Sequence, residues 1–213
     1  MHNFTPRLFI VVGSPASGKD ELISAVNTIG VLHAEIVPKH TDRDLRFNDG
    51  DEMICMKKYI SDNSLVDNEN YDLKNCDVKY VNFKKNYGIK TSEIWDKLRD
   101  GINQVAVVSD SGALNQLKNK FGNLAVVLYV YSQINKSTYR KREIANLKSK
   151  KQNLTKEDEE YIKERVADFD KAWNLYIDNF LLFDHVLIYA DRQEELFDQI
   201  FRLFKAYENG TLK

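Results

Sequence analysis

The chain has 213 residues, 43% of them hydrophobic, which is enough for one α/β domain with small insertions and a sizeable core. Its 31 basic and 32 acidic residues leave a formal net charge of −1, so we expect neither nucleic acid nor an acidic membrane as a partner. Two cysteines and an N-terminus without signal-peptide character predict a reducing, cytoplasmic location without a disulfide framework.

Apolar runs of strand length alternate with helical segments along most of the chain. The runs lie at residues 8–12, 105–108, 124–131 and 185–189. Helices are predicted at residues 18–27, 91–100, 112–121, 133–147, 155–178 and 193–207. Continuous apolar runs are typical of strands that are covered on both faces, and their alternation with helices indicates βαβ units. The pattern therefore predicts an α/β fold with a central parallel sheet.

The first apolar run leads directly into a glycine-bounded turn, Gly13-Ser14-Pro15-Ala16-Ser17-Gly18-Lys19-Asp20. This spacing lets successive backbone N–H groups surround a phosphate, with a helix N-terminus behind them and the Lys19 ammonium reaching further out. A strand before the turn and a helix after it are the context that the motif requires. We therefore predict a nucleotide phosphate-binding loop (P-loop) in a three-layer sandwich. Asp20 stands where a Ser or Thr hydroxyl normally holds Mg²⁺.

Residues 34–87 are more polar and are predicted to form a lobe inserted beside the main sheet, with short strands at residues 35–40 and 79–83. Within this segment Arg43 and Arg46 are three residues apart. Guanidinium groups make planar, bidentate hydrogen bonds to phosphate, and two at this spacing can converge on one phosphate. The alternative is that both are surface residues paired with neighbouring aspartates.

A second irregular segment, residues 140–165, contains several lysines and arginines and a run of four acidic residues. One interpretation is a solvated helix face with i,i+4 ion pairs. The presence of a phosphate loop upstream favours the other interpretation, in which some of these cations act on a bound phosphate.

Three separated stretches resemble guanylate kinases and related nucleoside-monophosphate kinases. Residues 13–19 match the ATP phosphate loop, and the segment from His40 to Arg46 is similar to the family's Thr-Thr-Arg-x-x-Arg segment. Asn86-Tyr87-Gly88 resembles the Tyr-Gly element, whose hydroxyl contacts the acceptor phosphate. The resemblance implies phosphoryl transfer from ATP, with Mg²⁺, to a phosphorylated acceptor held by Arg43, Arg46 and Tyr87.

The resemblance also implies a helical lid over ATP at residues 140–165. Tyr139-Arg140-Lys141-Arg142 and the Ile162-x-x-Arg165 step are similar to lid motifs, which makes Arg142 and Arg165 candidate catalytic residues together with Lys19. The usual Arg-Gly-Thr-Glu turn is absent, and the lysine-rich residues 148–151 take its place. Asp110, after the second apolar run, is the carboxylate expected to make a water-mediated metal or acceptor contact.

These elements give one kinase domain over residues 1–213. Its core comprises residues 1–33 and 88–213, its acceptor-binding lobe residues 34–87, and its lid residues 140–165. Both a monomer and a homodimer remain open.

The acceptor is the least constrained part of the prediction. Guanine presents two N–H donors on one edge, and Asp77 is the acidic residue nearest the position expected to accept them, with Glu69 and Asp72 in the same lobe. We therefore predict a nucleoside monophosphate such as GMP. One alternative is a sugar phosphate, because ribose 1,5-bisphosphate phosphokinases resemble this family and also carry Gly-Lys-Asp in the loop. The other is a guanylate-kinase-like binding module without catalysis.

Overall fold

A computed structural model describes residues 5–28, 30–45, 50, 52–59, 64–82, 84–149, 153–190 and 192–212. Its strands are β1 (Leu8–Gly13), β2 (Ala34–Ile36), β3 (Lys39–Thr41), β4 (Met53–Cys55), β5 (Lys57–Tyr59), β6 (Leu65–Asp67), β7 (Val78–Asn82), β8 (Lys85–Ile89), β9 (Asn103–Val107), β10 (Ala125–Ser132) and β11 (His185–Tyr189). Its α-helices are α1 (Lys19–Thr28), α2 (Thr91–Arg99), α3 (Ser111–Phe121), α4 (Lys136–Lys148), α5 (Lys156–Asp178) and α6 (Gln193–Glu208).

Within these residues five strands form the main sheet, in the order β11-β10-β1-β9-β2 with every pairing parallel. The central strand β1 is buried along its whole length, and its alternate residues enter two apolar clusters on opposite faces. Phe9 and Val11 pack with α1 and α6, and Ile10 packs with α2 and α3. Burial of each large apolar side chain contributes about 1.5–3 kcal/mol to the stability of the fold, so β1 stabilises the packing of helices on both faces of the sheet. The predicted three-layer α/β fold is confirmed.

Two boundaries of the main sheet differ from the sequence prediction. β9 begins at Asn103, two residues before the predicted start, because Asn103 and Gln104 pair with β2 although they are polar. Both are buried, and the Asn103 side chain accepts a hydrogen bond from the Arg7 backbone N–H at 2.8 Å. The strand predicted at residues 35–40 is divided at Pro38, which has no N–H to donate to a ladder. Its first part, β2, belongs to the main sheet, so the inserted lobe begins after residue 36 and not at residue 34.

In the part of the lobe that the structure describes, four strands form a sheet in the order β4-β3-β8-β7, and β5 and β6 form a separate antiparallel pair. β8 is antiparallel to both of its neighbours, and it extends to Ile89, two residues beyond the predicted end of the lobe. In this register Tyr87 lies opposite Thr41 on one side and Tyr80 on the other. Residues that are paired directly across strands share a face, so these three side chains lie on one face of the lobe sheet.

The predicted lid corresponds to the helical pair α4 and α5, which is longer than residues 140–165. A reciprocal capping box between Thr155 and Asp158 starts α5. Further along α5 the backbone carbonyl of Phe169 accepts a hydrogen bond from Ser14 Oγ at 3.3 Å, so this helix touches the glycine-bounded turn directly. Across the described ranges no helix has both the length and the apolar character needed to span a membrane.

Candidate active site

The turn between β1 and α1 has the backbone geometry that its sequence predicts. Ala16 and Gly18 have positive φ angles of 57° and 95°, and the Ser17 side chain is fully buried beneath the turn. A Cβ atom at Gly13 would overlap Ser17 Oγ and would lie 2.7 Å from the Val130 carbonyl oxygen. Gly13 and Gly18 are therefore required by close packing and by backbone conformation respectively.

Gly18→Ala is expected to destabilise the fold through two separable effects. A positive φ costs an alanine about 1–2 kcal/mol. The added Cβ would also lie 2.7 Å from the Tyr189 ring, an overlap that adds about 1–3 kcal/mol. Gly101→Ala is the matched control, since Gly101 has φ 84° but an added Cβ there would meet no heavy atom within 4 Å. Urea unfolding should show a larger loss of unfolding free energy for Gly18→Ala than for Gly101→Ala. Equal losses would contradict the close contact between Gly18 and the Tyr189 ring.

The Lys19 side chain is folded back over the turn. Its Nζ donates hydrogen bonds to the carbonyl oxygens of Gly13 at 2.7 Å and Ser14 at 2.5 Å. Desolvation lowers the pKa of Lys19 to about 8; Asp20 opposes this, and the positive charges of Arg165 and Lys39 add to it. The ammonium is thus desolvated and contacts carbonyl dipoles, with Asp20 as the acidic group that acts on it most strongly, and a phosphate oxygen would add a further negative charge.

A cleft of about 790 Å³ lies between this turn, the lobe and α5. It opens at the carboxyl ends of β1 and β9, the edge at which parallel α/β sheets bind ligands. Predicted site residues from all parts of the chain line it: Gly13, Pro15, Ala16, Lys19, Asp20, Arg43, Tyr87, Asp110 and Arg165. Ser14, Ser17 and Gly18 lie within the turn and are buried behind its surface. The fold therefore brings predicted site residues from Gly13 to Arg165 to one cleft.

On the lobe side Arg43 is held at the end of β3. Its backbone N–H donates to Thr41 Oγ1 at 3.3 Å, and that hydroxyl donates to the Asn86 carbonyl at 2.8 Å. The guanidinium donates to the Asp44 carbonyl at 2.8 Å, and the side chain is only 7% exposed. Tyr87, on the neighbouring strand, stacks on Tyr80 with ring centroids 5.3 Å apart. Arg46, the second predicted arginine, lies outside the described residues.

Asp110 has a structural role in addition to its place on the cleft. Its carboxylate accepts a hydrogen bond from the Ala113 backbone N–H at 2.9 Å and thereby caps the N-terminus of α3. The same residue lines the cleft beside Ser109, immediately after β9. The predicted carboxylate is therefore present at the sheet edge, fixed in position by its cap.

The structure separates the two predicted lid arginines. Arg165 on α5 lines the cleft, and its guanidinium lies 3.7 Å from Glu143 Oε1 on α4. Tyr139 and Glu143, four residues apart, occupy the face of α4 that meets Arg165. Arg142 is exposed on α4 and lies outside the cleft. Of the two predicted lid arginines only Arg165 lines the cleft, and the catalytic role of each stays a prediction.

Asp77 also lies outside the cleft. It precedes β7, where its carboxylate accepts hydrogen bonds from the Thr91 backbone N–H at 2.8 Å and from Thr91 Oγ1 at 2.5 Å, and it pairs with Lys120 at 2.9 Å. Burial raises the pKa of Asp77, but the hydrogen bonds from Thr91 and Lys120 prevail and lower it to about 2. As a correction to the sequence prediction, Asp77 secures the start of α2 and is not placed to accept N–H groups of an acceptor base.

Asp77→Ala is therefore expected to reduce the free energy of unfolding by about 1–3 kcal/mol at pH 7, the usual cost of removing an acceptor from buried hydrogen-bond donors, without changing acceptor affinity. Because folding lowers the pKa below the ordinary 3.8, the Asp77 contribution is fully present above pH 4 and is lost as the pH falls toward 2. Urea unfolding at pH 7 and pH 3 should show the difference between wild type and variant shrinking at the lower pH.

Asp96→Ala is the control for this comparison. Asp96 is an exposed residue of α2, and its carboxylate pairs with Arg99. We expect it to change stability by less than about 0.5 kcal/mol at either pH. If Asp77→Ala instead lowers acceptor affinity and leaves stability unchanged, Asp77 contacts the acceptor as the sequence predicted.

The sequence prediction missed four charged residues that line the cleft: Lys39, Glu52, Asp168 and Lys171. Lys39 precedes His40 on β3, shares a face with Thr41 two residues later, and lines the cleft with Lys19 and Arg43. Its Nζ donates to the Val107 carbonyl at 3.3 Å. Lys39 lies inside the strand predicted at residues 35–40, but the sequence does not show which face of that strand meets the cleft.

The fold belongs to the class of P-loop kinase-like α/β folds. Guanylate kinase from Anaplasma phagocytophilum superimposes with a TM-score of 0.59 at 15% sequence identity, over 96% of this chain and 87% of that chain. Dephospho-CoA kinase from Campylobacter jejuni aligns with a TM-score of 0.43 at 11% identity, over 96% of this chain and 99% of that chain. No protein-family model matches the sequence, and no curated protein matches it.

Proposed function

We propose that this protein transfers the γ-phosphoryl group of ATP to the phosphate of a small acceptor, and that the acceptor is a nucleoside monophosphate such as GMP. One observation carries the proposal: a single cleft is lined both by the phosphate loop with Lys19 and by the lobe residues Arg43 and Tyr87. A protein that only bound ATP would not need a second phosphate-binding group facing the first. The fold shared with guanylate kinase supports the same conclusion.

Each part of the cleft has a distinct task in this reaction. The backbone N–H groups of residues 13–19 hold the donor β- and γ-phosphates, and Lys19 offsets the charge on the transferring group. Arg43 and Tyr87 hold the acceptor phosphate in line with it. Arg165 brings a further cation from α5. The acceptor phosphate is already ionised near neutral pH, so no side chain is needed as a general base, and positioning and charge neutralisation supply the rate.

Mg²⁺ fits the donor side of the cleft. Within the described ranges no three His, Cys, Asp or Glu side chains form a metal site by themselves. Mg²⁺ is commonly held by one or two carboxylates together with substrate phosphates, and the cleft offers Asp20 beside Lys19, with Asp110 also on its wall. Asp20 would hold the ion directly, and Mg²⁺ when bound would neutralise charge on the ATP phosphates.

A sugar phosphate is the second candidate acceptor. Two observations favour it: Asp77 does not face the cleft, and the lobe contributes Lys39 to the cleft wall in addition to Arg43. Both features suit an acceptor with more anionic groups than a nucleobase provides. A binding module without catalysis is disfavoured because Gly13, Gly18, Lys19 and Arg165 are all in place.

The test is acceptor-dependent ADP formation by the purified protein. MgATP would be supplied with GMP, AMP, CMP, UMP or ribose 1,5-bisphosphate in turn, and the products identified by ³¹P NMR. We expect one acceptor to stimulate ADP release and to yield a new diphosphate or phosphoanhydride signal. GMP as the best acceptor would support the nucleotide assignment, and ribose 1,5-bisphosphate would support the alternative. ATP binding without turnover for any acceptor would instead support a binding module.

A further inference from the structure

A large apolar surface lies at the edge of the main sheet that β11 forms. It consists of two exposed side chains on α5, two on the 3₁₀ turn that follows it and two on β11: Trp173, Ile177, Phe180, Leu181, Val186 and Ile188. Leu181 is 84% exposed, and the other five are between 41% and 60% exposed. We call these six residues the α5–β11 patch.

The side chains of the patch are neighbours of one another. Its members on α5 and the turn follow at intervals of one helical turn or less. On β11, Val186 and Ile188 alternate with the buried Leu187 and therefore share the opposite face of the sheet. Ile188 lies beside Tyr131 in the parallel pairing with β10, and the ring centroid of Tyr131 is 5.8 Å from that of Trp173. The helix and strand parts of the patch therefore form one continuous surface.

The patch and the cleft lie on different sides of α5. Arg165, Asp168 and Ala172 line the cleft, at the spacing of three to four residues that defines one helix face. Trp173 and Ile177 have the same spacing, but Trp173 is about 100° around the helix from Ala172. A protein bound to the patch therefore approaches α5 from a different side than a ligand of the cleft.

The size of the patch matches one side of a protein dimer. A large side chain offers about 150–250 Å² when fully exposed, so the exposed fractions leave roughly 500–800 Å² accessible. The largest apolar patch on a typical monomer is about 300–600 Å², whereas a stable interface buries about 800 Å² on each partner. The interfaces of homodimers are also more apolar than those of transient complexes, and they are enriched in aromatic residues.

The charged residues around the patch do not oppose self-association. Three ion pairs and one further acidic residue flank it along the chain and on the neighbouring helices: Asp170 with Lys136, Asp184 with Lys118, Arg192 with Glu195, and Asp178. Paired charges at the border add little net charge, and the whole chain has a formal net charge of only −1. Two copies of the patch therefore meet without strong repulsion, with a polar rim around an apolar centre.

The hydrogen-bonding edge of β11 is partly occupied, which restricts the kind of partner. The Ile188 backbone N–H donates to Gln199 Oε1 at 2.9 Å, and Gln199 Nε2 donates to the Ile188 carbonyl at 2.8 Å. These backbone groups are the ones that an added strand would use. The patch therefore suits a partner that covers its side chains with another apolar surface, and not an extended peptide.

We propose that the α5–β11 patch is the interface of a homodimer, in which a second copy of this chain packs the same patch around a two-fold axis. A two-fold contact requires a surface that is complementary to itself. The most exposed side chain, Leu181, lies about two helical turns beyond the Trp173 ring. The two-fold axis places Leu181 of each copy against Trp173 of the other. This inference does not depend on the proposed function.

Leu181→Asp is the variant that tests the interface, and Leu65→Asp is its matched control. Leu65 is a half-exposed leucine on β6 in the lobe. In sedimentation velocity over a range of protein concentrations, we expect wild type and Leu65→Asp to form dimers. Leu181→Asp should raise the dissociation constant at least about 100-fold, because it places an unpaired carboxylate in the centre of the interface. Ile177→Asp is a second variant with the same expected effect, and circular dichroism checks that each protein is folded.

A mixing experiment tests the two-fold pairing itself. Trp173→Lys alone should also be monomeric, but an equal mixture of Leu181→Asp and Trp173→Lys chains should dimerise. In the mixed dimer Asp meets Lys at one contact, and the other contact keeps its native leucine and tryptophan. Folded variants that do not dimerise on mixing would overturn the pairing of Leu181 with Trp173.

Two results would overturn the interface as a whole. The first is a wild-type protein that remains monomeric at about 100 µM, which would assign the patch to a different protein partner. The second is a dimer that persists in both Leu181→Asp and Ile177→Asp, which would show that the copies associate through another surface. A urea midpoint that rises with protein concentration for wild type, but not for Leu181→Asp, would support the proposal independently.

Discussion

Lys19→Ala is expected to lower kcat/KM for MgATP by about 1,000-fold or more and to abolish measurable ATP binding. The ammonium is the side-chain cation that lies directly on the turn, within hydrogen-bonding distance of the Gly13 and Ser14 carbonyls. A phosphate bound in the turn would meet this group first. Isothermal titration with a non-hydrolysable ATP analogue and steady-state turnover provide the two measurements.

The same substitution should not weaken the fold. Desolvation lowers the pKa of Lys19, which means that the folded protein holds this charge at a cost. The free energy of unfolding of Lys19→Ala is therefore expected to be close to that of wild type or above it, the pattern of a group kept for function. Lys97→Ala is the control, since Lys97 pairs with Glu35 at 2.8 Å on the surface. Turnover within tenfold of wild type would mean that the turn is not the donor site.

Arg43→Met is expected to raise the KM for the acceptor about 100-fold and to change the KM for ATP by less than about threefold. Charged hydrogen bonds contribute about 1.5–3 kcal/mol each, and a bidentate contact to phosphate lies at the upper end of that range. Arg43→Lys retains the charge without the planar fork, so we expect an intermediate loss of about tenfold. Initial-rate kinetics with each substrate varied in turn give the separate KM values.

Arg99→Met controls for the loss of an arginine, because Arg99 is an exposed residue of α2 that pairs with Asp96. Since Arg43 is buried, urea unfolding of Arg43→Met is needed beside the kinetics. Equal increases in both KM values would show that Arg43 supports the cleft as a whole and does not hold the acceptor. An unchanged acceptor KM would show that Arg43 does not bind the acceptor.

The segments that the sequence predicted best are those whose pattern is contained in the segment itself. β1, α3, α5 and α6 fall within two residues of their predicted bounds because each has a continuous apolar run, a cap or an amphipathic period. β8 escaped prediction because Asn86 and Gly88 have low strand propensity. It is a strand because it pairs with β3 and β7, and that pairing is long-range.

The candidate site also has parts that local sequence predicts and parts that only tertiary packing decides. The phosphate loop depends on backbone N–H groups and glycines within eight consecutive residues, so its spacing carries the geometry. The position of the Asp77 side chain could not be predicted from local spacing. Its carboxylate contacts Thr91 at the start of α2 and Lys120 on α3, and both contacts depend on tertiary packing. Whether a polar side chain faces a cleft or caps a helix depends on neighbours that come from other parts of the chain.

The sequence by itself therefore determined the α/β class and the glycine-bounded turn, and it singled out Arg43, which lines the same cleft, because each depends on a pattern within a short stretch of the chain. Only the tertiary structure decided which charged residues share the cleft. It placed Lys39 and Arg165 near Lys19, and it left Arg142 and Asp77 outside. The physical reason is that electrostatic contact depends on distance through space, and the crossing from β2 to the lobe and the packing of α5 on the loop fix those distances.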